Sequence, residues 1–395
     1  LRGSDRIAFR MSAAAIASRA AGARAAHGPA AGSQRVRPGP RCRDRLARAA
    51  VGVRRRRPTP RAPRPQRLPP PRLPAAPACT TVPRVVAPAS PAPAPAAGPP
   101  LRKRIKRALR FRAVQALLAI VRLLPLRVAL VLGGALGAAA FYVFRRDRRL
   151  ALDHLAKAFP AKAPAEREAI ARAMFRHLGM LGAEIVLADR IDVERYVEVP
   201  DDVRATLASA LSGRGAIAVT GHVGNWELLF RRFVAAGWRA YAVGKEQPDP
   251  RVTGWIERLR GPGRTIWRGA PGASRQLLRA FRENALLAML IDQDTKVQGV
   301  FVPFFGELAH TPRAAADLAL RTGAPVVAVF VHRKQGGGHR VEARRVDFTP
   351  TGEEEADVLA LTARMTLEIE AAIRRVPHEW VWMHRRWKTR PPAGP

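Results

Sequence analysis

The chain has 395 residues and a formal net charge of +38, from 69 Lys and Arg against 31 Asp and Glu. Its two cysteines, Cys42 and Cys79, fall in the first hundred residues, so no disulfide framework holds the rest. About half of the charge, +18, also sits in that stretch, and the remaining +20 makes the following part strongly basic in its own right.

Residues 1–100 contain twenty Arg, no Lys, and only Asp5 and Asp44 as acids, with Ala/Pro tracts such as 87–100. This composition buries no core, and we read it as a disordered tail. From Leu1 on, its Arg/Ala/Pro/Gly vocabulary is what GC-rich DNA gives when read outside a coding start, so the tail is expected to lie outside the functional protein. Arg54 to Arg57 form its densest basic patch, but no aromatic residue follows Phe9 in the tail, which argues against a nucleic-acid partner. A transit peptide over residues 11–27, Arg-bearing and free of acids, is the alternative reading of its start.

Residues 101–149 change character. Seven basic residues between Arg102 and Arg112 precede an apolar stretch over 113–144, and Arg145, Arg146, Arg148 and Arg149 follow it. Arg122, Pro125 and Arg127 leave 128–144 as the longest clean run, which makes a helix of about 25 Å against a hydrocarbon core of about 30 Å. Short and flanked by charge on both sides, it predicts a membrane-anchoring helical segment lying on and in one leaflet. A buried core helix is the competing reading.

The part from 150 to 390 alternates. Helical periodicity over 148–187 is followed by strands near 216–220, 239–243, 265–267, 286–292 and 326–331. Helices are predicted at 201–211, 226–236, 250–260, 272–283 and 311–322, with a long one over 353–375. The expected fold is α/β, a mostly parallel central sheet with helices on both faces.

Between the first strand and its helix stands His222-Val-Gly-Asn-Trp-Glu227. Five positions apart on one helix, His222 and Glu227 would point about 140° apart, so they meet only if His222 precedes the helix. Gly221 and Gly224 loosen the turn, Asn225 can cap the helix, and Glu227 falls in its first turn. Glu227 is then expected to hold one imidazole nitrogen while the other takes a proton from a substrate hydroxyl. After residue 100 there is no cysteine, and Ser209, Ser212 and Ser274 stand in no Gly-x-Ser-x-Gly setting, so no thiol or serine nucleophile is expected. No metal or nucleotide motif appears, and neither cofactor is expected.

Further along come Asp292-Gln293-Asp294, Val300-Phe301-Val302-Pro303-Phe304-Phe305-Gly306, Leu318-Ala319, Thr322-Gly323-Ala324-Pro325, and Trp380-Val381-Trp382-Met383-His384-Arg385-Arg386-Trp387-Lys388. With residues 221–229 this ordered set resembles the lipid A late acyltransferases, the bacterial lauroyl and myristoyl transferases of the lysophospholipid acyltransferase superfamily, over roughly 101–390. Within 148–160, Asp153-His154-Leu155 stands where that family usually has an Asn-Leu pair.

The resemblance implies transfer of a fatty acyl group from a thioester on acyl carrier protein or coenzyme A to a glycolipid hydroxyl, at the cytoplasmic face of the bacterial inner membrane. It makes His222 the general base and Glu227 its orienting partner. Backbone amides around 221–225, or a basic side chain, are the candidate oxyanion donors. Lys245, Arg258 and Arg260 occupy places where the family tends to be basic and would meet substrate phosphates or the acidic carrier. Asp292, Gln293 and Asp294 end a strand at the same sheet edge and would organise those cations or bond a sugar. Phe301, Phe304 and Phe305 suit an acyl chain, or ordinary core. Thr311 and Arg313 lie in Ala309-His310-Thr311-Pro312-Arg313, where the better-known members carry a run of threonines followed by glycine. That departure leaves the acceptor open: a mannolipid or lysophospholipid is the enzymatic alternative, and a non-catalytic basic membrane-surface protein the alternative of another class. The C-terminal tryptophans and basic residues fit either a membrane interface or core packing.

Overall fold

The computed structural model describes residue 112 and residues 116–247 and 249–392, so the readings made for the 1–100 tail lie outside the described residues. Seven strands form one sheet in the order β1-β9-β8-β2-β5-β3-β4. These are β1 (Val197–Glu198), β2 (Ala216–Thr220), β3 (Ala240–Gly244), β4 (Arg264–Trp267), β5 (Leu286–Leu290), β8 (Val326–Arg333) and β9 (His339–Val346). β2, β5, β3 and β4 pair in parallel, as does β8 with β2, and only β8 and β9 run antiparallel. β2 and β8 are buried along most of their length, and their near-continuous apolar runs suit a sheet covered on both faces. The fold is α/β, as expected.

Crossover helices follow the strands in turn: α6 (Trp226–Ala235) after β2, α7 (Pro250–Arg260) after β3 and α8 (Ala273–Arg282) after β4. Asn225 caps α6 by accepting from the Leu228 amide at 3.1 Å, and Asp249 caps α7, which opens on Pro250. Four strands escaped sequence reading. β1 has only two residues, β9 is Arg-rich, and a separate hairpin joins β6 (Gly299–Phe304) to β7 (Glu307–Pro312). Thr311 therefore belongs to β7, and the helix predicted from 311 begins at Ala314 as α9 (Ala314–Thr322). The hairpin turns on Phe305 and Gly306, with φ of 51° and 78°, the two positive values of a type I′ connection. A phenylalanine there is unusual. Its amide donates to Glu370 on α10 (Glu354–Arg375), and the Arg374 guanidinium lies 4.5 Å over its ring, so the neighbouring helix holds it.

The apolar run of the anchor segment forms α1 (Leu126–Val143), and the periodicity over 148–187 divides into α2 (Arg145–Ala158) and α3 (Pro164–Val186), followed by the short helices α4 (Val193–Tyr196) and α5 (Asp201–Ala210). Among the described residues α1 is the one helix long and apolar enough to cross a membrane. It packs backbone to backbone on α3: a Cβ at Gly137 would stand 2.2 Å from the Phe175 carbonyl oxygen, and one at Gly179 would stand 1.9 Å from that of Gly133. Its other side leaves Val131, Leu136 and Val143 exposed.

Candidate active site

Strand register builds the site. In the parallel pair β2 and β5, Thr220 lies opposite Leu290. Two residues past each strand end stand His222 and Asp292, brought together at the carboxyl edge of the sheet, where open α/β folds place their sites. The Asp292 carboxylate accepts from the His222 amide at 2.7 Å and meets His222 Nδ1 at 2.8 Å. It also accepts from Trp380 Nε1 at 2.8 Å. Burial pushes the Asp292 carboxyl up, but the facing His222, its two hydrogen bonds and Trp380 outweigh this and hold it well below the usual carboxylate range. An ionised carboxylate only accepts, so Nδ1 carries a proton, and in the neutral imidazole it is Nε2 that presents the lone pair. The His222 side chain is 23% exposed while that of Asp292 is 1% exposed: the imidazole is reachable and its partner is not.

This arrangement corrects the pairing expected from spacing. Both oxygens of Glu227 are taken by Arg260, at 2.8 Å to Nη2 and 3.0 Å to Nε, and Arg260 also bonds Thr265 Oγ1 at 2.9 Å. The two side chains are each 12% exposed. Glu227 thus neutralises Arg260 instead of orienting the imidazole, and Arg260 in turn is no free cation for a phosphate. Asp292, expected to organise cations or bind sugar, is the residue that orients His222.

The loop between strand and helix is clamped. Gly224 adopts φ of +60°, and a Cβ there would fall 1.7 Å from the Val331 carbonyl oxygen, so only glycine fits. The Gly224 amide donates to the Glu379 carbonyl at 3.1 Å, and Val223 bridges to Trp380. Two of the amides considered as oxyanion donors, those of His222 and Gly224, are therefore already committed. Below the loop, Asn225 Nδ2 donates to Glu184, a fully buried carboxylate that also receives a bidentate pair from Arg333 at 2.7 and 2.8 Å, a bond from Tyr196, and contact with His339. Sequence reading missed Glu184 and Trp380. The first was visible as a lone acid in the apolar stretch Leu178 to Ala188, and nothing in sequence aims the second at Asp292.

The remaining predicted residues scatter. Lys245 and Arg258 are exposed on the β3–α7 side and remain available to an anion. Gln293 is half-buried. Asp294 is tied to the C-terminal segment, accepting from the Thr389 amide at 2.6 Å and hydroxyl at 2.9 Å, while its own amide donates to His384 Nε2. Phe304 is fully buried against Trp380 and Trp387, and Phe305 packs on Phe159 and Trp382, so both are core. Phe301 packs its ring against His310 at 5.5 Å. Thr311, also buried, accepts from Arg386 at 2.6 Å. Arg313 is locked by Asp317 and by both oxygens of Glu355. The C-terminal aromatics likewise belong to the core rather than to a surface. Arg386 within them is fully buried; burial lowers its pKa to about 10, with Asp292 and Asp294 opposing, so its charge persists behind the site.

A reachable imidazole backed by a buried ionised carboxylate at the edge of an α/β sheet is an arrangement able to take a proton from a nucleophile, as general-base enzymes do. The sequence comparisons give that class its family. A model of the bacterial lipid A biosynthesis acyltransferases matches residues 101–389, and the chain belongs to this family of transferases. It is 28% identical over 281 residues to the lipid A biosynthesis palmitoleoyltransferase of Escherichia coli (strain K12), covering 68% of this chain and 87% of that protein. To the lipid A biosynthesis lauroyltransferase of the same organism it is 28% identical over 285 residues, covering 69% and 89%. It is also 25% identical over 214 residues to the phosphatidylinositol mannoside acyltransferase of Mycolicibacterium smegmatis (strain ATCC 700084 / mc(2)155), covering 53% and 64%.

Proposed function

We propose that this acyltransferase moves a fatty acyl group from a thioester, carried on acyl carrier protein or coenzyme A, to a glycolipid hydroxyl in lipid A assembly, at the cytoplasmic face of the inner membrane. The observation that carries the proposal is the free Nε2 of His222 set by Asp292. In this reading Nε2 takes the proton of the acceptor hydroxyl as its oxygen attacks the thioester carbonyl carbon. The tetrahedral oxyanion collapses, the C–S bond breaks, and the departing thiolate recovers the proton from the imidazolium, leaving an ester and a free carrier thiol. Asp292 stabilises the imidazolium between the two steps. Exposed Lys245 and Arg258 supply positive charge for substrate phosphates or an acidic carrier, and the apolar outer side of α1 favours a membrane surface.

The test is mass spectrometry of products from the purified chain, given acyl carrier protein or coenzyme A thioesters together with a lipid A precursor, a phosphatidylinositol mannoside or a lysophospholipid. Gain of one acyl group on the lipid A precursor is expected. Acylation of the mannoside alone would move the enzyme to the other branch of its relatives, and thioester consumption without any ester would refute the transfer.

A further inference from the structure

We propose that the junction of α1 and α2 holds a binding site for the phosphate headgroup of an anionic membrane phospholipid. Tyr142, Arg145, Arg148, Arg149 and Leu152 line a pocket of about 480 Å³ there. The apolar outer side of α1 ends at exposed Tyr142 and Val143, and the arginines begin two residues later, so hydrocarbon-compatible surface runs directly into concentrated positive charge. A lipid has that order of chemistry, apolar chain then anionic head.

The charge in this pocket is uncompensated. Among the described residues, none of Arg145, Arg148 and Arg149 has an acid within ion-pair distance. Asp147, the one acid between residues 127 and 152, is buried and bonds none of them. The other end of α1 differs: Arg122 is neutralised by Asp189 at 2.6 Å. Arg148 is preorganised as well, its guanidinium lying 5.2 Å over the Phe141 ring. The pocket is linked to the site. Along α2, His154 lies six residues, about 9 Å, beyond Arg148. It bonds the Trp382 carbonyl at 2.9 Å and packs on Trp387, in the aromatic block behind Asp292. A headgroup seated here would fix the height of the catalytic edge against the bilayer. The inference rests on the membrane-surface reading and not on the acyl chemistry.

The test uses the full chain in detergent micelles, which removes the bilayer field, with native mass spectrometry of the first adduct of dioctanoyl phosphatidylglycerol against dioctanoyl phosphatidylcholine. Phosphatidylglycerol is expected to bind more tightly, and Arg145→Gln and Arg149→Gln should each weaken it about five-fold. Arg146→Gln removes the same charge from the same helix outside the pocket and should change it less than about two-fold, while Arg149→Lys, which guards against misfolding, should retain binding. Thioester hydrolysis, read in parallel, should be unchanged in all four variants, separating loss of the pocket from loss of catalysis. Equal weakening by Arg146→Gln, equal binding of the two lipids, or displacement of phosphatidylglycerol by inorganic phosphate at chloride-matched ionic strength would each overturn the proposal.

Discussion

Replacing Asp292 by Asn separates the two carboxylates that sequence spacing and structure assign differently. Three donors converge on Asp292: the His222 amide, His222 Nδ1 and Trp380 Nε1. An asparagine offers one acceptor oxygen, and its NH2 must then face an N–H. The cheapest escape is for the imidazole to change tautomer, so that Nδ1 accepts and the proton moves to Nε2, which removes the lone pair that catalysis needs. Turnover should fall by about 10² to 10⁴, the usual contribution of a general base. Stability should fall only by about 1.5–3 kcal/mol, the range for hydrogen bonds to a charged group, so the variant remains folded. Glu227→Gln should behave in the opposite sense: it leaves Arg260 charged and mostly buried, costing about 3–5 kcal/mol of stability. Thioester turnover and chemical denaturation of both variants form the assay. If Asp292→Asn kept turnover near normal while a folded Glu227→Gln lost about a hundred-fold or more, Glu227 would be the orienting carboxylate and the geometry argued here would be wrong.

Three further perturbations test the framework. Gly224→Ala should cost at least about 3 kcal/mol, because the new Cβ meets the Val331 carbonyl, whereas Gly237→Ala, equally left-handed but with open space around it, should cost about 1 kcal/mol in the same denaturation assay. Glu184→Gln should destabilise by about 3–5 kcal/mol by leaving Arg333 buried without its partner, and unchanged unfolding midpoints would remove the network beneath the catalytic loop from the account. Burial lowers His177 to about 4 in the folded protein, so between pH 6.5 and 4 the unfolded chain binds more protons and stability falls as pH falls. His177 alone should remove roughly 3 kcal/mol across that window and nothing above it, and His177→Leu should flatten the slope; an unaltered pH profile would contradict this.

Much of the fold is legible in the sequence because its central strands are buried along most of their length and read as apolar runs. β2, β5 and β8 lie where expected, and the glycine turn before α6 is announced by Gly221, Gly224 and Asn225. The missed strands lack that signal: β1 has two residues, β9 carries exposed arginines, and β6 and β7 form a hairpin apart from the main sheet. His222 was readable as a candidate base, and the carboxylate that faces it was not. Glu227 is near His222 in sequence, but Asp292 is near it in space only because β5 lies beside β2 with Thr220 opposite Leu290, and strand order has no local signature. The same limit explains the misread cations: Arg260 looks free until Glu227 is placed, 33 residues away, and Arg313, beside Asp317 in sequence, until Glu355 is placed, 42 residues away.

The most direct test of the central claim is the rate of ester formation by purified His222→Ala in a single turnover with acyl thioester and lipid A precursor, with product counted by mass spectrometry and folding checked by denaturation. A loss of about 10² to 10⁴ with an unchanged unfolding midpoint is expected if His222 is the general base; a folded variant that forms ester at the native rate would contradict that role.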